Sequence, residues 1–407
     1  MIVNLKEQHC ENFLQSLHKE QWQEVRLGEV AEIIGGGTPK TSIPEYWNGE
    51  IPWLTPKDLA GYNHIYISKG ERFITELGLK NSSATLMPKG TILLSSRAPI
   101  GYVAIAQNDI CTNQGFKSLV VEPKQACNLF VYYWIKNNVE YLQSLGTGTT
   151  FEEISKGVVQ DITIPLPPLT IQQKIAEILS SFDDKIDLLH RQNKTLESLA
   201  LTLFRHYFID NPKRDEWEEV SLDDICLKIA SGGTPSTTIK EYYCGNINWY
   251  STKEFNDNFL FNSVQTITEN GLTNSSAKLF PKDTIVIAIY AAPTVGRLGI
   301  LTQDSAFNQA ACGLIVDETQ CSKEFIFLFL KNERKNLNLL ASGSAQQNLN
   351  VEKIKSYTLA LPDKNSLHCF NIQAKGFFDK IYNNAKQIQN LQAMRDLMLK
   401  MIFNSET

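Results

Sequence analysis

The sequence of 407 residues lacks the features of several common protein classes. It contains six histidines and eight cysteines, and no two cysteines form a Cys-x-x-Cys pair. The spacing therefore favours neither a metal site nor a disulfide framework. No stretch approaches the roughly 18 consecutive apolar residues of a membrane span, and the N-terminus lacks the apolar run of a signal peptide. We expect a cytoplasmic protein with reduced thiols, no bound metal and no membrane contact.

An excess of positive charge is also missing. The formal net charge is −5, which weighs against a strongly basic chain that binds nucleic acid alone. Binding through local patches stays open, as does binding within a complex whose other subunits supply positive charge. Apolar residues make up 43% and charged residues 20% of the chain, which is ordinary for a globular protein of two to three domains.

Sequence motifs of two enzyme classes are absent as well. There is no Gly-x-x-x-x-Gly-Lys-Ser/Thr phosphate loop, and no Asn-Pro-Pro-Tyr or Asp-Pro-Pro-Tyr motif for adenine methylation. Pro167-Pro168 stands in Leu-Pro-Pro-Leu at a predicted helix entry. Segments 146–148 and 343–345 precede strand-like runs, and we interpret them as turns. We therefore predict no catalytic residue in this chain.

The dominant feature that is present is an internal duplication. Segments of the first half return in the same order in the second half, at an offset of 193 to 196 residues. The matched segments include Trp22/Trp217, Gly36-Gly37-Thr38-Pro39/Gly232-Gly233-Thr234-Pro235, Ile51-Pro52-Trp53/Ile247-Asn248-Trp249, Asn81-Ser82-Ser83-Ala84/Asn274-Ser275-Ser276-Ala277 and Asn113-Gln114/Asn308-Gln309. Because chance does not produce so many ordered matches, the chain is a tandem repeat.

Each copy combines a β-rich module with a long helix. After an N-terminal extension (1–21), the modules at 22–165 and 217–360 hold short β-branched runs broken by glycine, proline and asparagine. Residues 166–210 and 361–407 carry apolar positions three and four apart, which is typical of a coiled-coil helix. In the first helix this apolar seam consists of Ile175, Ile178, Phe182, Ile186, Leu189, Leu196, Ala200, Leu203 and Tyr207. The predicted fold class is α+β, with two tandem α/β modules separated by two long antiparallel coiled-coil helices.

The antiparallel arrangement follows from the path of the chain. Each helix has one apolar stripe that must be buried. If the ends of the second module lie close together, the second helix begins where the first one ends and runs back along it. The two halves would then be related by an approximate two-fold axis. Asn193, Asn384 and Arg395 fall on the apolar seam, and we interpret them as residues that set helix register rather than ligand contacts.

These motifs resemble the specificity subunits of type I restriction-modification systems, the HsdS family. The resemblance covers 22–403 in duplicate, and the segments that carry it are 22–30, 36–39, 46–53, 113–115 and the helix entry 168–175, which reads Pro-Leu-x-x-Gln-Gln-Lys-Ile. The second copy departs from the pattern at two places. Ala310 replaces Gly115, and Cys369-Phe370-Asn371-Ile372 replaces Gln172-Gln173-Lys174-Ile175.

The resemblance implies a non-catalytic DNA-binding subunit. Each module would be a target-recognition domain that reads one half of an asymmetric, two-part site on double-stranded DNA, and the helices would set the gap. The implied partners are two methylation (M) subunits, which use S-adenosylmethionine on adenine, and restriction (R) subunits that require ATP and Mg²⁺. This chain itself would bind no cofactor. The alternative is a tandem-module scaffold that binds proteins and has no DNA specificity.

Candidate DNA contacts are polar or aromatic residues near turns, taken from both copies. Base edges are read by Arg, Lys, Asn, Gln, Ser and Thr, and phosphates by Lys, Arg and backbone N–H groups. The candidates are Thr38, Lys40, Lys57, Arg97, Gln114, Thr234, Lys253, Tyr290 and Gln309. Structural alternatives are a tight turn for the threonines, a solvated side chain for the lysines and a strand cap for the glutamines.

Two further features of the duplicated modules bear on these candidates. Tyr290 is the counterpart of Arg97, which fits two modules that read different bases and also fits neutral drift. Trp53 and Trp249 are more simply explained as core anchors than as stacking platforms for bases.

Overall fold

The computed structural model describes residues 17, 19–148, 152–290, 294–342 and 349–404. The chain forms two compact units: Met1–Leu188 with Asn390–Thr407 is the first, and Leu189–Gln389 is the second. Each unit contains one β-rich module and a part of each long helix. Most of the N-terminal extension and the predicted turn at 343–345 lie outside the described residues.

The module of the first unit is built from short strands and short helices. Its strands are β1 (Gln23–Arg26), β2 (Ala31–Gly35), β3 (Trp47–Leu54), β4 (Tyr66–Ile67), β5 (Arg72–Ile74), β6 (Ile92–Ser96), β7 (Ile100–Ala106), β8 (Cys111–Thr112), β9 (Lys117–Val121) and β10 (Thr163–Leu166). Its α-helices are α1 (Leu27–Val30), α2 (Glu76–Lys80), α3 (Asn128–Asn137), α4 (Val139–Ser144) and α5 (Lys156–Asp161). Single 3₁₀ turns lie at Lys19–Gln21, Pro44–Tyr46 and Pro56–Leu59.

The first long helix, α6 (Leu169–Phe204), follows this module and ends in a π-helical turn, Arg205–Ile209. The strands of the second unit are β11 (Glu218–Ser221), β12 (Cys226–Ser231), β13 (Tyr243–Tyr250), β14 (Asn258–Leu260), β15 (Gln265–Ile267), β16 (Ile285–Ala288), β17 (Leu298–Leu301), β18 (Ala306–Phe307), β19 (Ala311–Val316) and β20 (Thr358–Leu361). Its α-helices are α7 (Glu269–Thr273), α8 (Lys323–Asn332), α9 (Arg334–Ser342) and α10 (Val351–Lys355), followed by the second long helix, α11 (Lys364–Phe403). Its 3₁₀ turns are Arg214–Glu216, Lys240–Tyr242 and Thr252–Glu254.

The two modules share one sheet topology. In the first unit a five-stranded sheet has the order β2-β9-β6-β7-β4 and a three-stranded sheet the order β5-β3-β8. In the second unit the orders are β12-β19-β16-β17-β14 and β15-β13-β18. In both large sheets the edge strand β4 or β14 pairs parallel, and the other pairs are antiparallel. The α+β repeat predicted from the sequence is therefore confirmed.

Apolar side chains of the central strand in each large sheet point alternately to its two faces, and each face is covered by an apolar layer. In β6, Ile92 and Leu94 pack with the helices while Leu93 packs on the opposite face of the sheet. In β16, Ile285 and Ile287 pack with the helices and Val286 packs on the other face. Successive strand residues point to opposite faces, so the apolar residues of β6 and β16 are buried on both faces of the sheet.

The first and last strands of each module pair with each other. β1 pairs antiparallel with β10, and β11 pairs antiparallel with β20. In the second unit this brings the end of α6 and the start of α11 to the same place. The condition on which the antiparallel prediction rested is therefore met.

Contacts within each unit show that α6 and α11 run in opposite directions. In the second unit, the Asn193 Oδ1 accepts a hydrogen bond of 2.9 Å from the Asn384 Nδ2, and Phe204 packs against Phe370. In the first unit, Asp183 lies 2.5 Å from Arg395. In the second unit, increasing residue number on α6 thus meets decreasing number on α11, and the contact in the first unit continues the same order, so the predicted antiparallel packing is confirmed.

The register of the second helix differs by two residues from the sequence interpretation. β10 and β20 begin 195 residues apart, as do α6 and α11. Phe370, which is fully buried, therefore takes the place of Ile175, whereas Ile372 is 65% exposed. The reason is packing, because Phe370 lies against Phe204 and Phe208. Burial of this aromatic ring sets the register, although Ile372 matches Ile175 in residue type.

Within the part of the chain that is described, no helix combines the length and apolar character needed to cross a bilayer. The described cysteines are unpaired: Cys111, Cys127, Cys226, Cys244, Cys312, Cys321 and Cys369.

Candidate nucleic-acid interface

Three loops converge in each unit. The first loop cluster consists of 36–39 after β2, 81–84 after α2 and 112–115 at the end of β8. The second loop cluster consists of the equivalent segments 232–235, 274–277 and 307–310. In the first cluster the Gly37 N–H donates to the Thr112 carbonyl oxygen at 2.9 Å, and in the second the Gly233 N–H donates to the Phe307 carbonyl oxygen at 2.9 Å. The sequence repeat thus brings its most similar motifs together in space.

Paired glycines allow these loops to touch. A Cβ added to Gly36 would lie 2.0 Å from the Asn113 carbonyl oxygen, and one added to Gly37 would lie 2.3 Å from the Ser83 carbonyl carbon. Gly232 and Gly233 are enclosed in the same way, with backbone atoms 2.1 and 1.9 Å from an added Cβ. Any other residue would force the loops apart, so the glycines hold the neighbouring threonine in a defined position.

Two buried tryptophans hold the glycine loops through side-chain hydrogen bonds. The Trp53 Nε1–H donates to the Gly37 carbonyl oxygen at 2.8 Å, and the Trp249 Nε1–H donates to the Gly233 carbonyl oxygen at 2.9 Å. Their side chains are buried, with 3% and 8% exposure. The interpretation of both tryptophans as core anchors is confirmed.

The candidate threonines and glutamines form a pair in each cluster. The Thr38 Oγ1–H donates to the Gln114 Oε1 at 2.5 Å, and the Thr234 Oγ1–H donates to the Gln309 Oε1. Both glutamines are exposed and both threonines are half-buried. Residues about 75 positions apart in sequence therefore present one amide and one hydroxyl together at the surface of each unit.

The second cluster lies in an open polar groove that the sequence did not reveal. The groove is lined by Ser231, Thr234, Ser275, Ser276, Lys278 and Gln309, among others. The Lys278 Nζ donates to the Ser231 carbonyl oxygen at 3.2 Å, and the Ser276 Oγ–H donates to the Thr234 carbonyl oxygen at 3.3 Å. Hydroxyl, amide and ammonium groups can all bind phosphates or base edges.

The three candidate lysines are exposed. Lys57 lies 3.3 Å from Glu71 in an exposed ion pair, and Lys253 occupies the equivalent 3₁₀ turn of the second unit. The Lys40 carbonyl oxygen accepts a hydrogen bond of 3.2 Å from the Trp47 Nε1–H, which places Lys40 directly after the first glycine loop. Their contact with DNA stays a prediction.

Arg97 and Tyr290 follow the equivalent strands β6 and β16, but their surroundings differ. Arg97 is half-buried and lies 3.4 Å from Glu153, which Lys117 also approaches at 2.8 Å. Tyr290 packs against the apolar core of the second unit. The Arg97 guanidinium is thus engaged within its own unit, and contact of either residue with DNA stays a prediction.

Titratable groups beneath the clusters are held in their neutral forms. Burial raises the pKa of the Cys111 thiol to about 12, with Glu76 adding to the effect. Burial also raises the pKa of the Tyr250 phenol. A thiol or phenol that keeps its proton at neutral pH is a poor nucleophile, so these groups serve the packing beneath the loops.

Of the polar residues on the helix seam, the two asparagines are buried and Arg395 is half-buried. Asn193 and Asn384 are 4% and 1% exposed, and the Arg395 guanidinium is held by Asp183 and Asp396 at 2.5 and 2.8 Å. Tyr133 donates a further hydrogen bond of 2.7 Å to Asp183. Asp183 was not identified from the sequence because it lies one position beyond Phe182 of the apolar seam.

Sequence analysis also missed Arg72, an exposed residue of β5. Its guanidinium carbon lies 3.6 Å from the centre of the Trp47 ring and 5.4 Å from that of Trp53. Because Trp53 fastens Gly37, Arg72 borders the first loop cluster. No sequence signal identifies it directly, because its place opposite Trp53, the tryptophan of Ile51-Pro52-Trp53, comes from strand pairing.

Comparison with known proteins accounts for the duplicated design. The family model of the type I restriction modification DNA specificity domain matches the chain twice, over residues 19–198 and 214–390. The chain belongs to this family. The two matches of the type I specificity family correspond to the two copies found in the sequence.

Similarity to individual members of the type I specificity family extends over nearly the whole chain. The MjaIX specificity subunit from Methanocaldococcus jannaschii is 36% identical, with 94% of this chain and 93% of the relative covered. The HindI specificity subunit from Haemophilus influenzae is 25% identical, with 95% and 99% covered. A solved type I S subunit from M. genitalium has a TM-score of 0.58 at 17% identity and 95% and 97% coverage, a likeness of fold.

Proposed function

We propose that this chain is the specificity subunit of a type I restriction-modification complex and catalyses no reaction itself. Each loop cluster reads one half of an asymmetric, two-part site on double-stranded DNA. The observation that carries the proposal is the pair of equivalent loop clusters, each with an exposed glutamine held by a threonine on an enclosed glycine loop.

The chemistry of the clusters suits DNA. A glutamine amide can bond both N6 and N7 of adenine in the major groove, and backbone N–H groups and lysines bind phosphates. Because the threonine already orients the amide of Gln114 or Gln309, little side-chain freedom would be lost on binding. The clusters differ in their surrounding residues, so the two half-sites should differ in sequence.

The long helices supply a spacer in this proposal. α6 has 36 residues and α11 has 40, which corresponds to about 54 and 60 Å at about 1.5 Å per residue. Inserting one helical turn into α6 before Asn193 and one into α11 after Asn384 should lengthen the gap and leave each half-site unchanged. Altered half-sites would show that the helices do not act as a spacer.

Partner subunits supply the chemistry in this proposal. Two methylation subunits would carry S-adenosylmethionine, and restriction subunits would use ATP and Mg²⁺. The names of the relatives support this role, since both are specificity subunits of type I restriction enzymes.

A nuclease footprint of the complex with its methylation subunits tests the proposal. We expect two protected segments separated by an accessible gap, and an affinity that falls steeply with salt as counterions are released from DNA. A continuous footprint, or none on any sequence, would contradict it. Gln114→Ala and Gln309→Ala should each weaken a different half, while Gln125→Ala, on an exposed turn, serves as control.

The second candidate function is a protein-binding scaffold. Such a scaffold would show no sequence preference among DNA fragments at any salt concentration. Sequencing the methylated adenines in DNA exposed to the assembled complex separates the two functions, because only a DNA-reading subunit yields one recurring two-part site.

A further inference from the structure

Arg72 and Gln265 occupy the same position in the two units. Arg72 lies opposite Trp53 in the pairing of β3 with β5, and Gln265 lies opposite Trp249 in the pairing of β13 with β15. Both side chains are exposed. Strand register therefore establishes the equivalence independently of any sequence alignment.

Each position pairs with a strand whose aromatic residues hold the neighbouring loop by hydrogen bonds. Trp53 and Trp249 bind the carbonyl oxygens of the glycine loops. The first aromatic residue of each motif also binds its loop: the Trp47 Nε1–H donates to the Lys40 carbonyl oxygen at 3.2 Å, and the Tyr243 hydroxyl donates to the Pro235 carbonyl oxygen at 2.7 Å. The aromatic residues next to the two positions therefore make equivalent hydrogen bonds, whereas the exposed residue is arginine in the first unit and glutamine in the second.

Stacking holds the Arg72 guanidinium in place and leaves its N–H groups available for a ligand. It stacks on Trp47 at 3.6 Å, and within the described ranges its side chain forms no hydrogen bond or ion pair. The adjacent carboxylate, Glu71, is engaged by Lys57 at 3.3 Å. A stacked, planar guanidinium with free N–H groups is pre-organised for a bidentate acceptor.

Chemistry at this position distinguishes base reading from phosphate binding. Every phosphate is the same whatever the sequence, so phosphate binding alone gives no reason for arginine in one unit and glutamine in the other. Gln265 carries no charge. Arginine is suited to O6 and N7 of guanine, and glutamine is suited to N6 and N7 of adenine, so the exchange suits two modules that read different bases.

We propose that Arg72 reads a guanine in the half-site of the first unit and that Gln265 reads an adenine at the equivalent place in the other half-site. This inference rests on the proposed DNA-reading function, and it assigns a base to one position in each unit.

Exchange of the two side chains tests the inference. The full chain carrying Arg72→Gln, Gln265→Arg or Arg72→Lys is assembled with its methylation subunits and offered a random DNA library, and the methylated sites are sequenced. Lys124→Gln, which removes an exposed positive charge from a turn of the first unit, is the matched control. Circular dichroism melts check that each variant is folded.

Arg72→Gln should change one guanine to adenine in one half-site, and Gln265→Arg should change one adenine to guanine in the other. Affinity of Arg72→Gln for the original site should fall by about 10- to 100-fold. Arg72→Lys should weaken guanine selection, because lysine keeps the charge without the planar pair of donors. Lys124→Gln should select the wild-type site.

Three outcomes would overturn the inference. Folded Arg72→Gln and Gln265→Arg complexes that select the wild-type site would show that neither residue reads a base. An equal loss of affinity for all sequences, with a shallower salt dependence, would identify Arg72 as a phosphate contact. A wild-type complex that selects no site would instead overturn the proposed function, and the inference with it.

Discussion

Replacing Arg395 by alanine would leave the Asp183 carboxylate buried without its cation. Asp183 is 8% exposed, lies 2.5 Å from Arg395 and accepts a hydrogen bond of 2.7 Å from the Tyr133 hydroxyl. That hydroxyl remains a neutral donor, because burial and the nearby carboxylate both raise its pKa. It therefore cannot replace the positive charge.

Removing one partner of a buried ion pair lowers the free energy of unfolding by about 3–5 kcal/mol. We expect about 3 kcal/mol for Arg395→Ala, since the bond from Tyr133 is kept. In the second unit the residues equivalent to Tyr133, Asp183 and Arg395 are apolar, namely Leu328, Phe378 and Ala200, and all three are buried. The same helix packing is therefore compatible with an uncharged set.

This equivalence supplies a matched rescue. The double variant Asp183→Phe/Arg395→Ala removes both charges but leaves the Tyr133 hydroxyl without its acceptor, at a cost of about 1–3 kcal/mol. Adding Tyr133→Leu completes the apolar set and should restore most of the wild-type stability. Arg26→Ala, which breaks an exposed ion pair with Glu29 in the same unit, should leave the unfolding midpoint almost unchanged.

Urea denaturation followed by fluorescence and circular dichroism measures these differences. We expect an order of stability in which Arg395→Ala is lowest and the triple variant approaches the wild type. A triple variant less stable than Arg395→Ala would refute this explanation. The ion pair itself would then stabilise the fold by more than the burial of an unpaired Asp183 carboxylate costs.

Three further predictions concern other parts of the chain. Asn384→Ala leaves the buried Asn193 without its donor and should lower the free energy of unfolding by about 1–3 kcal/mol; in urea titrations, the exposed Asn383→Ala should behave as wild type. Gly37→Ala should abolish binding of one half-site in footprints, because its Cβ would meet Ser83, whereas Gly35→Ala, with open space around its Cβ, should bind normally. Burial raises the pKa of Asp257, but the hydrogen bonds from Arg334, one of 2.9 Å, and from the Leu298 N–H, together with the positive charges of Arg334 and Lys331, outweigh burial and lower the pKa overall. This stabilisation is present above about pH 4, the ordinary carboxyl value, and is lost as pH falls through the lower folded pKa. Asp257→Asn should flatten that acid dependence of stability, and an unchanged slope would contradict the assignment.

The duplication made the broad architecture predictable. Repeated motifs indicated two modules, and apolar spacing indicated two long helices that pack against each other. The assigned seam was less accurate in detail: Ile178 is only half-buried, whereas its neighbour Leu179 is fully buried. Helix residues next to a seam are buried by whatever module lies beside them, and that surface is not visible in a spacing pattern.

The sequence identified individual candidate site residues but not which of them are in contact. Thr38 and Gln114 could be named because both lie near turns, but a hydrogen bond across 76 residues depends on how the glycine loop meets β8. Arg72 was not predictable because it lies outside the repeated motifs. Its position opposite Trp53 depends on the pairing of β3 with β5, which the sequence does not reveal.

Pairing of the first and last strands, β1 with β10 and β11 with β20, has an evolutionary consequence. Both crossings between a module and the rest of the chain lie side by side, so a foreign module joins the chain at one place and has to match only the apolar helix faces on which it packs. Whole modules can then be exchanged by recombination as cassettes, while the helices stay untouched. New specificity would arise in a single step, without a pathway of gradual loop changes.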